Sequence, residues 1–215
     1  SWWTSRREDS NRIMALTWPS APPPTPGFEQ AQIQLRSATA QSNSQFNFGD
    51  QRFSHGAMKW QGSLTLPEMT QDDAREWKAW VTGLAGKAGT FKLSDPGYFG
   101  PFGDVQNQGT VQFVPQPNTG FYLVGEGYQA NTMIFQRGDM VEVGGELKII
   151  VQDITTTDTG NALLLFMPRL HNTNQRGNNI IHDQPKGTFR LNQNLNRWDD
   201  QTIMTQLEFG ISEAV

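Results

Sequence analysis

Apolar and polar residues alternate along most of this chain, and one stretch breaks the alternation. In "EQAQIQLRS", Ala31, Ile33 and Leu35 alternate with Gln30, Gln32, Gln34 and Arg36, which predicts a half-buried strand. "QFNF" with "GD" after it predicts another short strand and a turn. "MKWQGSLTL" puts Met58, Trp60, Gly62, Leu64 and Leu66 on one face. Pro67, which has no N–H to give a ladder, ends that run. From Thr70 the period lengthens to that of a helix. Ala74, Trp77, Trp80, Val81 and Leu84 make one apolar stripe over 70–84. Thr70 suits the N-cap, and Asp73 three residues on forms a weaker capping box. Asp72 and Asp73 stand where the helix dipole favours negative charge. Gly83 and Gly86 are candidate left-handed stops.

The rest of the chain returns to strands. "GTFKLSDPG" reads as strand then turn, and "GYFGPFGD" as an irregular loop. "TVQFV", "FYLVG" and "TMIFQ" are short strands divided by Gly, Pro and Asn. The clearest hairpin is "DMVEVGGELKIIVQDI". Val141 and Val143 alternate on one side of it, and Leu147, Ile149 and Val151 alternate back after Gly144-Gly145. "NALLLFMP" predicts a strand buried on both faces, and "HNTNQRGNN" (171–179) an exposed loop. The chain ends with "GTFRL" and "TIMTQLEFGI", where Ile203, Thr205, Leu207 and Phe209 share a face. The pattern gives about ten or eleven strands and one helix. That is too little helix for alternating βαβ units, so the predicted class is mainly antiparallel β, as a sandwich or a small barrel.

Composition narrows the function. A chain of 215 residues holds one domain or two small ones. A net charge of −4 argues against general nucleic-acid binding, which needs a basic stripe to displace counterions. Without cysteine there are no disulfides and no thiolate metal sites. The longest strictly apolar run, "ALLLFM", falls far short of a membrane span. Met14 begins "MALTWPSAPPPTPGF", which resembles a natural start followed by a Pro-rich arm, and the residues before it lack the apolar core of a secretion signal. Prolines at 19, 22, 23, 24 and 26 favour an extended linker, or an arm laid on a neighbouring subunit.

Motifs for chemistry fail on context. "GLAGKAG" lacks the spacing of a phosphate loop and follows a helix instead of preceding one. "GEGYQA" fits a loose dinucleotide pattern, but no helix follows to hold a pyrophosphate. The three histidines, His55, His171 and His182, show no ligand spacing, so no metal or cofactor is expected. Asp72–Asp73 serve the helix start and Asp199–Asp200 fall in a predicted turn, which leaves no carboxylate pair for hydrolysis. No catalytic residue is expected. Trp60, Trp77, Trp80, Val81 and Leu84 are core or subunit-interface candidates, because their neighbours are apolar. Tyr98, Phe99 and Phe102 are interleaved with Gly and Pro. They either plug a partner's groove, contact a glycan, or fold back as a loop core.

The order "W-x-G-x-L-x-L-P-x-M-T", then "A-x-x-W-x-A-W", then "L-x-G-x-x-G-x-F-x-L-x-D-P", Trp60 to Pro96, resembles the N-terminal region of distal tail (Dit-like) minor tail proteins of long-tailed bacteriophages. The ending "GTFRL…RWDD…LEFGISEAV" is similar to the way such domains close. The resemblance implies a ring-forming β-sandwich domain, 28–104 with 185–215; the extension and Pro-rich arm before it, 1–27, are not part of the family pattern. It implies an inserted or appended barrel of the oligonucleotide/oligosaccharide-binding (OB-like) type over 105–184. It further implies a structural virion protein: a homo-hexameric ring at the tail tip, made in the host cytoplasm. Its neighbours would be the tail tube protein, the tail-tip hub and the tape-measure protein, around a channel for DNA. No sequence-specific nucleic-acid contact and no membrane insertion are expected. The rival expectation is a carbohydrate-binding β-module, motivated by the Asn-rich loop and by Tyr98, Phe99 and Phe102.

Overall fold

The computed structural model describes residues 18, 20–43, 50–113, 120–194, 198–200 and 204–214. Within them the chain forms fifteen strands and one helix. It opens with β1 (Gln30–Asn43), β2 (Asp50–Thr65), β3 (Met69–Thr70), α1 (Gln71–Gly83) and β4 (Phe91–Ser94). Then come β5 (Gly109–Phe113), β6 (Tyr122–Glu126), β7 (Met133–Phe135), β8 (Met140–Val143), β9 (Glu146–Ile150) and β10 (Ile154–Thr155). The rest are β11 (Ala162–Met167), β12 (Asn179–Ile181), β13 (Lys186–Leu191), β14 (Trp198–Asp200) and β15 (Met204–Glu213). The protein is mainly β, a sandwich with one helix and a small closed barrel, with every strand pairing antiparallel. The short strands β3, β10, β12 and β14 raise the number above the ten or eleven read from the pattern, because two- and three-residue pairings leave no periodicity to detect.

The sandwich is organised by β15. Its first residues pair with β3 and β14, and its later ones run between β2 and β13, giving the order β1-β2-β15-β13-β4. α1 covers the inner face with Ala74, Trp77 and Val81, followed by Leu84, against Leu64, Leu66, Phe91, Phe189, Leu207, Phe209 and Ile211. Trp77 is only 1% exposed, worth at most roughly 4–6 kcal/mol of transfer free energy for an aromatic of this size. The helix starts as its sequence predicts. Thr70 Oγ1 accepts from Asp73 N at 3.4 Å and donates to Asp73 Oδ2 at 2.8 Å, so the aspartate answers the threonine hydroxyl itself. Of the two expected stops one holds: Gly86 (φ 67°) is left-handed, following a left-handed Ala85 (φ 50°), whereas Gly83 is still helical.

The barrel is inserted between two neighbouring strands of the sandwich. Lys186 pairs with Ser94 and Phe189 with Phe91, so the chain leaves β4 and returns on β13 directly beside it. The barrel order is β11-β6-β5-β12-β8-β9, closed by Phe166↔Ile150 and Met167↔Ile149. Its core joins Val111, Leu123, Ile134, Phe135, Val141, Ile150, Leu164, Phe166 and Ile180. Gly144 (φ 59°) and Gly145 (φ 84°) turn the β8–β9 hairpin with positive φ at both central positions, as a primed turn requires.

Several expectations change. β11 is not buried on both faces: Leu163 is 50% exposed, because the outside of this barrel strand faces solvent. Leu35 is 37% exposed despite its inward phase on β1. Asp199–Asp200 belong to β14 and not to a turn, paired with Gln206 and Thr205. The Pro-rich arm from Ser20 onward packs on its own subunit. Ser20 N donates to Thr90 O (2.9 Å), Trp77 Nε1 donates to Thr25 O (3.2 Å), and Phe28 meets Trp77 edge-on at 5.6 Å. "QFNF" and Ile203 lie outside the described residues.

Candidate functional site

The sandwich and the barrel meet along the β8–β9 hairpin, and polar groups that periodicity did not single out converge there. β9 reads "ELKII", so Glu146 and Lys148 share one face of a strand that is otherwise apolar. Lys148 is fully buried. Its Nζ donates to Glu146 Oε2 at 2.7 Å and to Arg169 O at 3.1 Å, and lies 4.0 Å from Glu213 Oε1. Glu213, at the end of β15, accepts the backbone N–H of Trp60 (3.0 Å), replacing a ladder partner where the β2–β15 pairing has run out. Trp60 Nε1 donates to Leu147 O at 2.8 Å, and Leu147 itself sits in the sandwich core. Glu142 on β8 pairs with Lys92 of β4 and accepts from Lys186 N at 2.9 Å. Thr188 N and Oγ1 both donate to Gly145 O at 2.9 Å. Leu147 and Ile149 of β9 thereby pack on the sandwich core and Ile150 in the barrel core, and Lys148 reaches Glu213 of the one part and Arg169 of the other.

Two carboxylates at this seam are tuned in opposite directions. Burial raises Glu213, and the Lys148 charge and the Trp60 N–H offset it only in part; its Oε1 has no hydrogen-bond partner among the described residues. Burial also pushes Glu146 upward, but Lys148 and the N–H groups of Asn172 and His171 outweigh it and hold the carboxyl below its ordinary range. His171 Nδ1 lies 3.2 Å from Glu146 Oε2. Ligand atoms of Glu146, His171 and Glu213 lie within 4.8 Å of one another, a grouping the sequence separates by dozens of residues. The Lys148 ammonium already supplies the positive charge this group asks for, and a metal ion would have to displace it. The legible signal was Glu146 and Lys148 two apart in an apolar strand; Glu213 carried none.

The tryptophans divide between two tasks. Trp77 and Trp80 meet edge-to-face at 5.6 Å, and Trp80 also packs on Phe91 (5.1 Å). Trp77, Val81 and Leu84 are buried and Trp80 is partly so. Trp60 is buried too, but at the seam with the barrel. The loop aromatics separate further. Tyr98 is half-buried, and that burial, the main cause, with the Asp139 charge adding to it, pushes its phenol up to about 12. Phe99 is 98% exposed and Phe102 77%. Their loop is held firmly all the same. Buried Asp139 accepts from Phe102 N (2.8 Å), Gly103 N (3.2 Å) and Gln136 N (2.8 Å). A Cβ on Gly103 would lie 2.1 Å from Ile134 O, so glycine alone permits this approach.

The Asn-rich loop also proves ordered by its own contacts. Asn174 N donates to Asn172 Oδ1 (3.0 Å), Gln175 Nε2 donates to Asn172 O (2.8 Å), and Gln175 is buried, against the expectation of an exposed loop throughout. Burial lowers His182, opposed by Asp183, and its ring lies 6.3 Å from that of Phe135. Gly127 (φ 92°) turns "GEGYQA" out of β6 with no helix after it. No described helix is long and apolar enough to cross a membrane. No model of a known protein family matches the chain, and no curated protein sequence does.

Proposed function

We propose that this protein is a structural subunit that assembles with copies of itself into a ring at the distal end of a phage tail, joining tube to hub around a channel for DNA. The observation that carries the reading is the clamped β8–β9 seam. A barrel tied to a sandwich through Lys148–Glu146–Glu213, Glu142–Lys92 and Leu147 makes one rigid two-part block, which suits a building unit. The titratable cluster is engaged in that joint. The Trp60-to-Pro96 pattern supplies the ring and the tail as its setting, with the tail tube, hub and tape-measure proteins as neighbours. Negative-stain images of the purified protein test it: rings with a central hole are expected. Single subunits at micromolar concentration, with no ring at the tip of tails containing the protein, would defeat the reading. A glycan-binding role is the weaker reading, because Tyr98 is half-buried and the two exposed rings, Phe99 and Phe102, have no polar handle for a sugar.

A further inference from the structure

We infer that the Phe99–Phe102 loop of one copy docks into a groove between β1–β2 and the 169–171 segment of a second copy. This rests on the self-assembly proposed above and names the contact used. An exposed phenylalanine is unremarkable alone, but two in five residues, on a loop pinned by a buried aspartate, form a preorganised apolar knob. The groove has a volume of about 490 Å³, within the usual range for side-chain and ligand pockets. Ala38, Ala57 and Met58 supply its apolar lining, and Arg36, Lys59 and Arg169 its cations; no carboxylate lines it among the described residues.

Charge selects the second copy as the occupant. Arg36 stands directly opposite Lys59 across the β1–β2 ladder, a like-charge pairing that opposes the strand pairing unless an anion covers it. Arg169 Nε is buried with no hydrogen-bond partner among the described residues. The knob carries the complement. Asp95 and Asp104 flank the two phenylalanines, and no basic residue lies between them. An apolar centre with an acidic border thus faces an apolar groove with a basic border. The geometry keeps the contact between copies. The knob is pinned to Asp139, at the open end of the β8–β9 hairpin, whereas the groove borders His171, bound to Glu146 just past the turn. Two different patches that meet head to tail give a heterologous contact, which closes into a ring when its rotation allows.

The test uses the full chain with Phe99 or Phe102 replaced by the photo-cross-linking residue p-benzoylphenylalanine, together with mass photometry of substituted proteins. Cross-links from position 99 or 102 into residues 57–59 or 169–171 of another copy are expected. Phe99→Ser with Phe102→Ser is expected to weaken assembly about tenfold or more at unchanged melting temperature. Lys59→Glu should do the same, and Lys59→Glu combined with Asp104→Lys should restore assembly. Assemblies that survive the double serine variant, with cross-links elsewhere, would overturn the contact and leave self-assembly standing. A wild-type protein of single-copy mass with no intermolecular cross-link would overturn both.

Discussion

The tryptophans of α1 and the aromatics of residues 98–102 belong to one chemical class and meet opposite fates. Trp77 is 1% exposed and Phe99 98%. The difference lies in the backbone beneath them. α1 repeats its apolar positions at helical spacing, so one rotation of the element buries the whole stripe against Phe91, Phe189 and Phe209. The loop has no period, and its backbone N–H groups are spoken for by Asp139, so the rings point where the turns leave them. Apolar character alone does not bury a residue; a repeating geometry that can aim several at once does.

That contrast can be broken, most strongly from the buried side. Trp77→Ala should lower stability by about 3–5 kcal/mol, through lost transfer and a cavity beneath Phe28 and Trp80, read by urea titration. Asp139→Ala acts on the other term. It strips three N–H groups of their acceptor and should cost about 2–4 kcal/mol, with faster amide exchange at 102 and 103.

The seam offers the same comparison in charges. Glu213 lies above its unfolded value, so its contribution to stability is full below the ordinary carboxyl pKa of 4.5 and is lost as pH rises through its folded pKa. Glu146 lies below, so its contribution is present above 4.5 and is lost as pH falls through its folded pKa. The combined contribution of the pair to the melting temperature should therefore peak near pH 4.5. Glu213→Gln should remove the high-pH limb of that peak and Glu146→Gln the low-pH limb; the same profile in both variants would refute the assignment. The smallest effect belongs to the knob. Phe99→Ser and Phe102→Ser should each change the stability of the single subunit by less than about 0.5 kcal/mol, because neither ring is buried there.

Much of the fold was legible. The period of two marked β2 and the β8–β9 hairpin, Thr70 and Asp73 marked the start of α1, and Gly144-Gly145 marked the tight turn. The errors fell where burial depends on what lies across an element. Leu163 reads like any core leucine, and solvent on the outside of the barrel decides otherwise. The Pro-rich arm reads as a linker, and only the presence of Trp77 and Thr90 beside it gives its backbone somewhere to bond.

Residue spacing along the chain was enough for the β-rich class, the one helix with its cap and stripe, and the aromatic loop that no regular element could absorb. These follow from interactions within a few residues, where spacing is enough. Tertiary structure alone decided that β4 and β13 lie side by side so that a barrel can be inserted between them, and that Lys148 meets Glu213, sixty-odd positions away. It alone placed an apolar knob with acidic flanks and an apolar groove with basic flanks on different parts of one subunit. Such juxtapositions are set by the packing of whole sheets, and no local periodicity encodes which distant residues that packing brings together.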